Sequence, residues 1–110
     1  VQNSDLYIAM RDGSKRVRLT SDPAFDGWPA ISPNGEEIAF ASNREESGVF
    51  HLYVMALDGS NVRQITKGTY HYTQPAWSAD GTRLAAFRWL EDDAGEIGHI
   101  VMIDLPHKEE

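Results

Sequence analysis

Cysteine is absent from this 110-residue chain. That removes disulfides, thiolate metal sites and cysteine nucleophiles together, and leaves the redox compartment open. Basic residues are few, 10 against 17 acidic ones, and the formal net charge of -7 repels nucleic acid and anionic membrane surfaces. Long apolar runs are missing too. The apolar stretches are short, Ile100 to Ile103 among them, far below the roughly 18 to 20 residues that cross a bilayer as a helix. There is no initiator methionine and no signal-peptide pattern, since Val1-Gln2-Asn3-Ser4-Asp5 is already polar, and this points to a processed or truncated start. Nucleophile elbows (G-x-S-x-G), phosphate cradles (G-x-x-x-x-G-K-[ST]), H-E-x-x-H or H-x-H zinc patterns and the D-x-D-x-D-G calcium loop do not occur. No catalytic residue, metal or cofactor is therefore expected.

What is present is a core-forming composition, 41% apolar with 10% aromatic residues, arranged as a repeat. A shift of 46 positions lays Leu6-Tyr7 on Leu52-Tyr53, Asp12-Gly13-Ser14 on Asp58-Gly59-Ser60, and Thr20 on Thr66. The match continues with Pro29-Ala30 on Pro75-Ala76, Ser32 on Ser78, Gly35 on Gly81 and Ala39 on Ala85. A third copy starts at His99 to Asp104, displaced by two further residues from the His51 segment. Asn34-Gly35, Asp80-Gly81, Asp12-Gly13 and Asp58-Gly59 separate short apolar runs, the pattern of tight β-hairpins with glycine at positive φ.

Those runs are apolar almost throughout, as in Ile38-Ala39-Phe40-Ala41, Leu84-Ala85-Ala86-Phe87 and Tyr53-Val54-Met55-Ala56-Leu57. Strands of this kind are covered on both faces. A four-stranded blade between neighbouring blades of a β-propeller meets that condition with short antiparallel connections. The expectation is all-β.

The residues that carry the repeat resemble a known family. Asp5-Leu6-Tyr7, Arg18-Leu19-Thr20, Pro29-Ala30-Ile31-Ser32-Pro33-Asn34-Gly35 and Pro75-Ala76-Trp77-Ser78-Ala79-Asp80-Gly81 are similar to the WD-like repeat of the TolB propeller family. Ile31 stands where that motif has Trp, and Ala79 where it has Pro. Related repeats also build the propellers of prolyl-oligopeptidase-type peptidases and tricorn-like proteases, so the resemblance bears on fold before function. It implies strands c and d at about 5–20, a full blade at about 28–66 and strands a to c at about 75–105. It also implies a non-catalytic, extracytoplasmic or periplasmic binding scaffold. The alternative is a propeller fragment of a serine peptidase whose catalytic domain lies elsewhere.

Two opposite faces carry the connections. The tight glycine turns fall on one, and the longer d-to-a and b-to-c loops on the other, where binding residues on a rigid scaffold usually sit. Near the expected central channel this face carries Asp22, Asp26, Trp28, Tyr70, His71, Tyr72 and Gln74, with Glu45, Glu46, Glu91, Asp92, Asp93 and Glu96 further out. The aromatics suit either a recognition surface or the seam between blades. The acidic tips suit solvent, a basic partner or a hard cation. His51 and His99 hold one repeat position and read as structural, while His71, alone among the four histidines (His107 is the last), sits in a connection near the axis.

The partner, a protein or a small ligand, is not named by any motif. Blades at both ends are incomplete, which favours association. Either partner chains complete the ring or the chain is a piece of a longer protein; in the first case the expectation is a head-to-tail ring in which each chain contributes two blades, with a homotrimer of six blades ranked first.

Overall fold

The computed structural model describes residues 4–21, 23–45, 48–90 and 98–106. Every regular element among them is a strand. β1 (Tyr7–Ile8) pairs with β2 (Val17–Arg18) as a two-stranded ribbon. β3 (Asp26–Ile31), β4 (Glu37–Ser42), β5 (His51–Ala56) and β6 (Arg63–Gln64) form a four-stranded sheet in that order, and β7 (His71–Trp77), β8 (Arg83–Trp89) and β9 (His99–Asp104) a three-stranded one. Neighbouring strands are antiparallel throughout. The chain is an open stretch of β-propeller: two strands of one blade, a whole second blade and three strands of a third.

β4 explains why the runs read as continuously apolar. Its alternate side chains enter two different cores, Ala39 and Ala41 on one face, Ile38 and Phe40 on the other. The alanine face meets Leu52 and Val54 of the same blade and Leu84 and Ala86 of the third blade, all buried. The opposite face meets Leu6 of the first blade with Tyr53 and Met55. Each fully buried Leu or Met contributes about 1.5–3 kcal/mol, so both faces of the central blade are strongly held.

The hairpin turns recur in atomic detail. Gly13, Gly35, Gly59 and Gly81 all lie at φ between 75° and 90°. In the c-to-d turns Asp12 accepts from the Ser14 amide and hydroxyl, and Asp58 from those of Ser60. In the a-to-b turns Asn34 and Asp80 play the same part for Ser32 and Ser78 and for the following main chain.

Two strands begin earlier than their sequence suggests. β3 starts at Asp26 and β7 at His71, so residues read as connections up to Gly27 and Thr73 are already paired with β4 and β8. The cause is a β-bulge in each strand, between Gly27 and Ala30 and between Thr73 and Ala76, which breaks the two-residue alternation. The inner strands are also tied to the preceding blade through their main chains. The Asp26 amide donates to the Ser4 carbonyl, and the Tyr72 amide to the Phe50 carbonyl, both at 2.9 Å. Ser4 also forms a parallel bridge with Phe25.

Candidate functional site: the inner strands and their bulges

β3 and β7 are each the first strand of their sheet, with no further described strand on the other edge, and each is bent by its bulge. The bulges hold Trp28 at φ 51° and Gln74 at φ 58°, the left-handed region that bulky residues avoid. The two positions are repeat equivalents, and both side chains are exposed, Trp28 at 40%. Holding non-glycine residues there costs on the order of 1 kcal/mol or more each, and such outliers gather at sites that aim a side chain outward.

Behind Trp28 runs an aromatic relay. Phe25, Trp28 and Phe50 lie 5.6 to 5.8 Å apart between ring centres, two of the three contacts edge-on. Phe50 continues to His71 at 6.0 Å, and His71 stacks on Trp89 at 5.0 Å with ring planes 11° apart. Offset and edge-on pairs are each worth about 0.5–1.5 kcal/mol beyond their buried area, so Trp28 stands on a rigid base that joins two blades. Phe25, Phe50 and Trp89 are not among the sequence-based candidates. Apart from the Phe25–Trp28 contact, the pairings that join them lie between residues 18 to 25 positions apart.

The six tentative binding residues divide by burial. Asp26 is fully buried: one carboxylate oxygen accepts from Arg44 at 3.2 Å, its carbonyl accepts from the Ser4 hydroxyl, and Oδ2 has no hydrogen-bond partner among the described residues. The Arg44 guanidinium also lies over the rings of Phe40 and Tyr53. His71 is buried in the seam, where its Nδ1 accepts the Phe50 amide at 3.1 Å. The bond leaves the ring proton on Nε2. Tyr72 is half-buried, packs on the alanine-face core and leans against His51 at 6.1 Å. Tyr70 is half-buried beneath the Arg88 guanidinium, 4.3 Å from its ring centre. Trp28 and Gln74 are the two that face solvent.

His51 is structural, as its repeat position implies. Its buried ring bonds Thr66 through Nδ1 at 2.9 Å and the Gly68 carbonyl through Nε2 at 3.1 Å. Burial pushes its pKa below the ordinary value, against the opposing pull of the Glu45 carboxylate. Among the acidic loop tips, Glu45 accepts from the Gln64 side chain and lies 3.6 Å from His51. Asp22, Glu46, Glu91, Asp92, Asp93, Glu96 and His107 lie outside the described residues. Among those described, no three His, Asp or Glu side chains converge on a possible metal position.

A second concavity, of about 910 Å³, opens at the tight-turn end, between the second and third blades. Trp77 and Leu105 line it beside Asn34 and Asp80, and the ion pair of Glu37 with Arg63 at 2.9 Å crosses it. Its charges are mutually satisfied, and the Trp77 indole N–H is committed to the Ala30 carbonyl across the seam at 2.8 Å. This end serves blade cohesion.

The model of the TolB beta propeller domain family matches residues 1–109. Tricorn protease homolog 1 of Streptomyces coelicolor is 30% identical over 82 residues, 74% of this chain and 8% of that protein. The Tol-Pal system protein TolB of Nitrosospira multiformis is 31% identical over 71 residues, 64% of this chain and 16% of that protein. The crystal structure of TolB from Acinetobacter baumannii superposes with a TM-score of 0.75 at 19% identity, covering 93% of this chain and 24% of that one, a likeness of fold. The chain thus spans well under a fifth of the length of these two curated relatives. Its three-fold repeat, its blade topology and the family match agree, and the chain belongs to the TolB beta propeller domain family.

Proposed function

We propose that this chain is a non-catalytic binding module of an extracytoplasmic propeller, and that Trp28 and Gln74 present its recognition surface. The observation that carries the reading is the pair of equivalent bulges, which hold both side chains exposed in a backbone conformation they intrinsically disfavour. A rigid aromatic beside an amide suits a polypeptide ligand, offering contact area and hydrogen bonds together. The resemblance to TolB supports the extracytoplasmic placement.

A displayed peptide library tests this. The wild-type chain is expected to enrich a sequence class that the Trp28→Ser/Gln74→Ala variant, folded to the same extent, does not retain. Equal enrichment by both would overturn the assignment. A second reading, the propeller of a serine peptidase of the prolyl-oligopeptidase type, is favoured by the similarity to the tricorn protease homolog. In that arrangement the same two residues would contact peptide on its way to a catalytic domain outside this sequence.

A further inference from the structure

The third blade holds a guanidinium without the acceptors that the second blade provides for its own. We infer that Arg88 is the receptor of a ligand carboxylate, bound at the loop end of the seam between the second and third blades. This goes beyond the surface at Trp28 and Gln74 and does not rest on it.

β8 lies in the middle of its sheet, and Arg88 is paired across it with Tyr72 of β7 on one side and His99 of β9 on the other. By strand alternation it shares a face with Leu84 and Ala86, which are buried against the second blade. Its side chain is half-buried, and its Nε is enclosed with no hydrogen-bond partner among the described residues. No described carboxylate pairs with the guanidinium, and neither cross-strand neighbour is a carboxylate. Instead the guanidinium lies over the ring of Tyr70, in the connection from the second blade to the third, 4.3 Å from the ring centre. The ring face attracts the charge but offers the N–H groups no lone pair.

The repeat identifies the missing acceptors. Asp26 and Ser42 are cross-strand partners in the second blade, as Tyr72 and Arg88 are in the third, and a shift of 46 positions lays one pair on the other. In the second blade both polar side chains serve Arg44, which also lies over aromatic rings, those of Phe40 and Tyr53. Its Nε donates to Ser42 Oγ at 3.1 Å and its Nη2 to Asp26 Oδ1 at 3.2 Å. In the third blade a tyrosine and the arginine itself occupy these two positions. A guanidinium over a ring is thus retained while both acceptors are lost. A buried N–H of a charged group without an acceptor is destabilising. A ligand carboxylate restores what Asp26 and Ser42 supply to Arg44, because its two oxygens match the planar fork of a guanidinium. One guanidinium neutralises a carboxylate but leaves a phosphate dianion only partly compensated, in a chain whose net charge is already -7.

Proton–nitrogen spectroscopy of the chain with isotope-labelled arginine tests this, since a buried Nε–H exchanges slowly with water and gives its own resonance. Arg88→Lys, which keeps a charge beside Tyr70, identifies that resonance by its loss. N-acetyl-trialanine with a free C-terminus and N-acetyl-Ala-Glu-Ala-amide present a carboxylate from a chain end and from a side chain, and N-acetyl-trialanine amide presents none. A saturable displacement of the Arg88 resonance by the acidic peptides is expected, unmatched by the amide or by inorganic phosphate at equal ionic strength. The peptide that acts at the lower concentration names the source of the carboxylate. Tyr72→Asp, which restores the carboxylate of the second blade, is expected to move the resonance to the bound position without any probe and to abolish the response. No displacement by either acidic peptide, an equal displacement by the amide, a stronger response to phosphate, or a wild-type resonance already at its Tyr72→Asp position would overturn the inference.

Discussion

The indole N–H of Trp77 donates to the main-chain carbonyl of Ala30 at 2.8 Å, crossing from the third blade to the second. The preceding blade has Ile31 at the position of Trp77 and makes no such bond, so the seam between the second and third blades has a polar tie that the other seam lacks. Trp77→Phe removes the donor together with part of the ring that packs on the core. Thermal denaturation should register a loss of about 1 kcal/mol, and Ile31→Phe should cause no comparable loss through a hydrogen bond.

Seam and surface should separate by mutation. His71→Ala removes the stack on Trp89 and strands the Phe50 amide, and is expected to cost on the order of 2 kcal/mol in chemical denaturation. Gln74→Gly relieves a left-handed residue whose side chain is exposed, and is expected to stabilise by up to about 1 kcal/mol. A destabilised Gln74→Gly would mean that this side chain supports the fold rather than a ligand.

The c-to-d turns allow an internal comparison. Gly13 and Gly59 share the same backbone conformation, but a Cβ at Gly59 would lie 3.0 Å from the Leu19 carbonyl oxygen, whereas one at Gly13 meets open space. Gly13→Val should cost about 1 kcal/mol for its φ alone, and Gly59→Val distinctly more. Lys15 and Asn61 are likewise equivalent, at φ 52° and 62°. Lys15→Asn should raise the melting temperature, because asparagine tolerates this region better.

His51 gives stability a pH dependence of definite sign. Burial holds the folded ring's pKa below the ordinary 6.5, so the unfolded chain takes up a proton more readily than the folded one. The contribution is complete above pH 6.5 and is lost as the pH falls below it toward the folded value. The groups that bear on the ring are Glu45, which opposes the shift, and His71, which adds to it. Melting temperatures measured from pH 8 down to pH 5 should decline below 6.5, and His51→Asn should flatten that decline.

Repetition made the strands and turns legible from sequence. The Asp-Gly and Asn-Gly pairs sit at the observed positive-φ glycines because the cause is local: each turn needs a conformation that few residues adopt. The doubly apolar run of β4 announced a strand covered on both faces for a similar reason, since alternation is a property of the strand itself. Bulges were invisible to this logic. A residue at φ 51° leaves no trace in composition, so β3 and β7 appeared to begin two and four residues late, and Asp26 and His71 read as loop.

The amino-acid sequence by itself determined the all-β class, the 46-residue period, the hairpin turns and the family, because each rests on residue type and near-neighbour spacing. Only the tertiary structure decided which candidates at the inner ends are buried and which face outward. It put His71 against the Phe50 amide, sank Asp26 beside Arg44 and left Trp28 and Gln74 exposed. The physical reason is distance along the chain. Blade-to-blade contacts join residues 21 to 47 positions apart, such as Phe50 with His71 and Ala30 with Trp77, and their geometry exists only once the sheets have packed face to face.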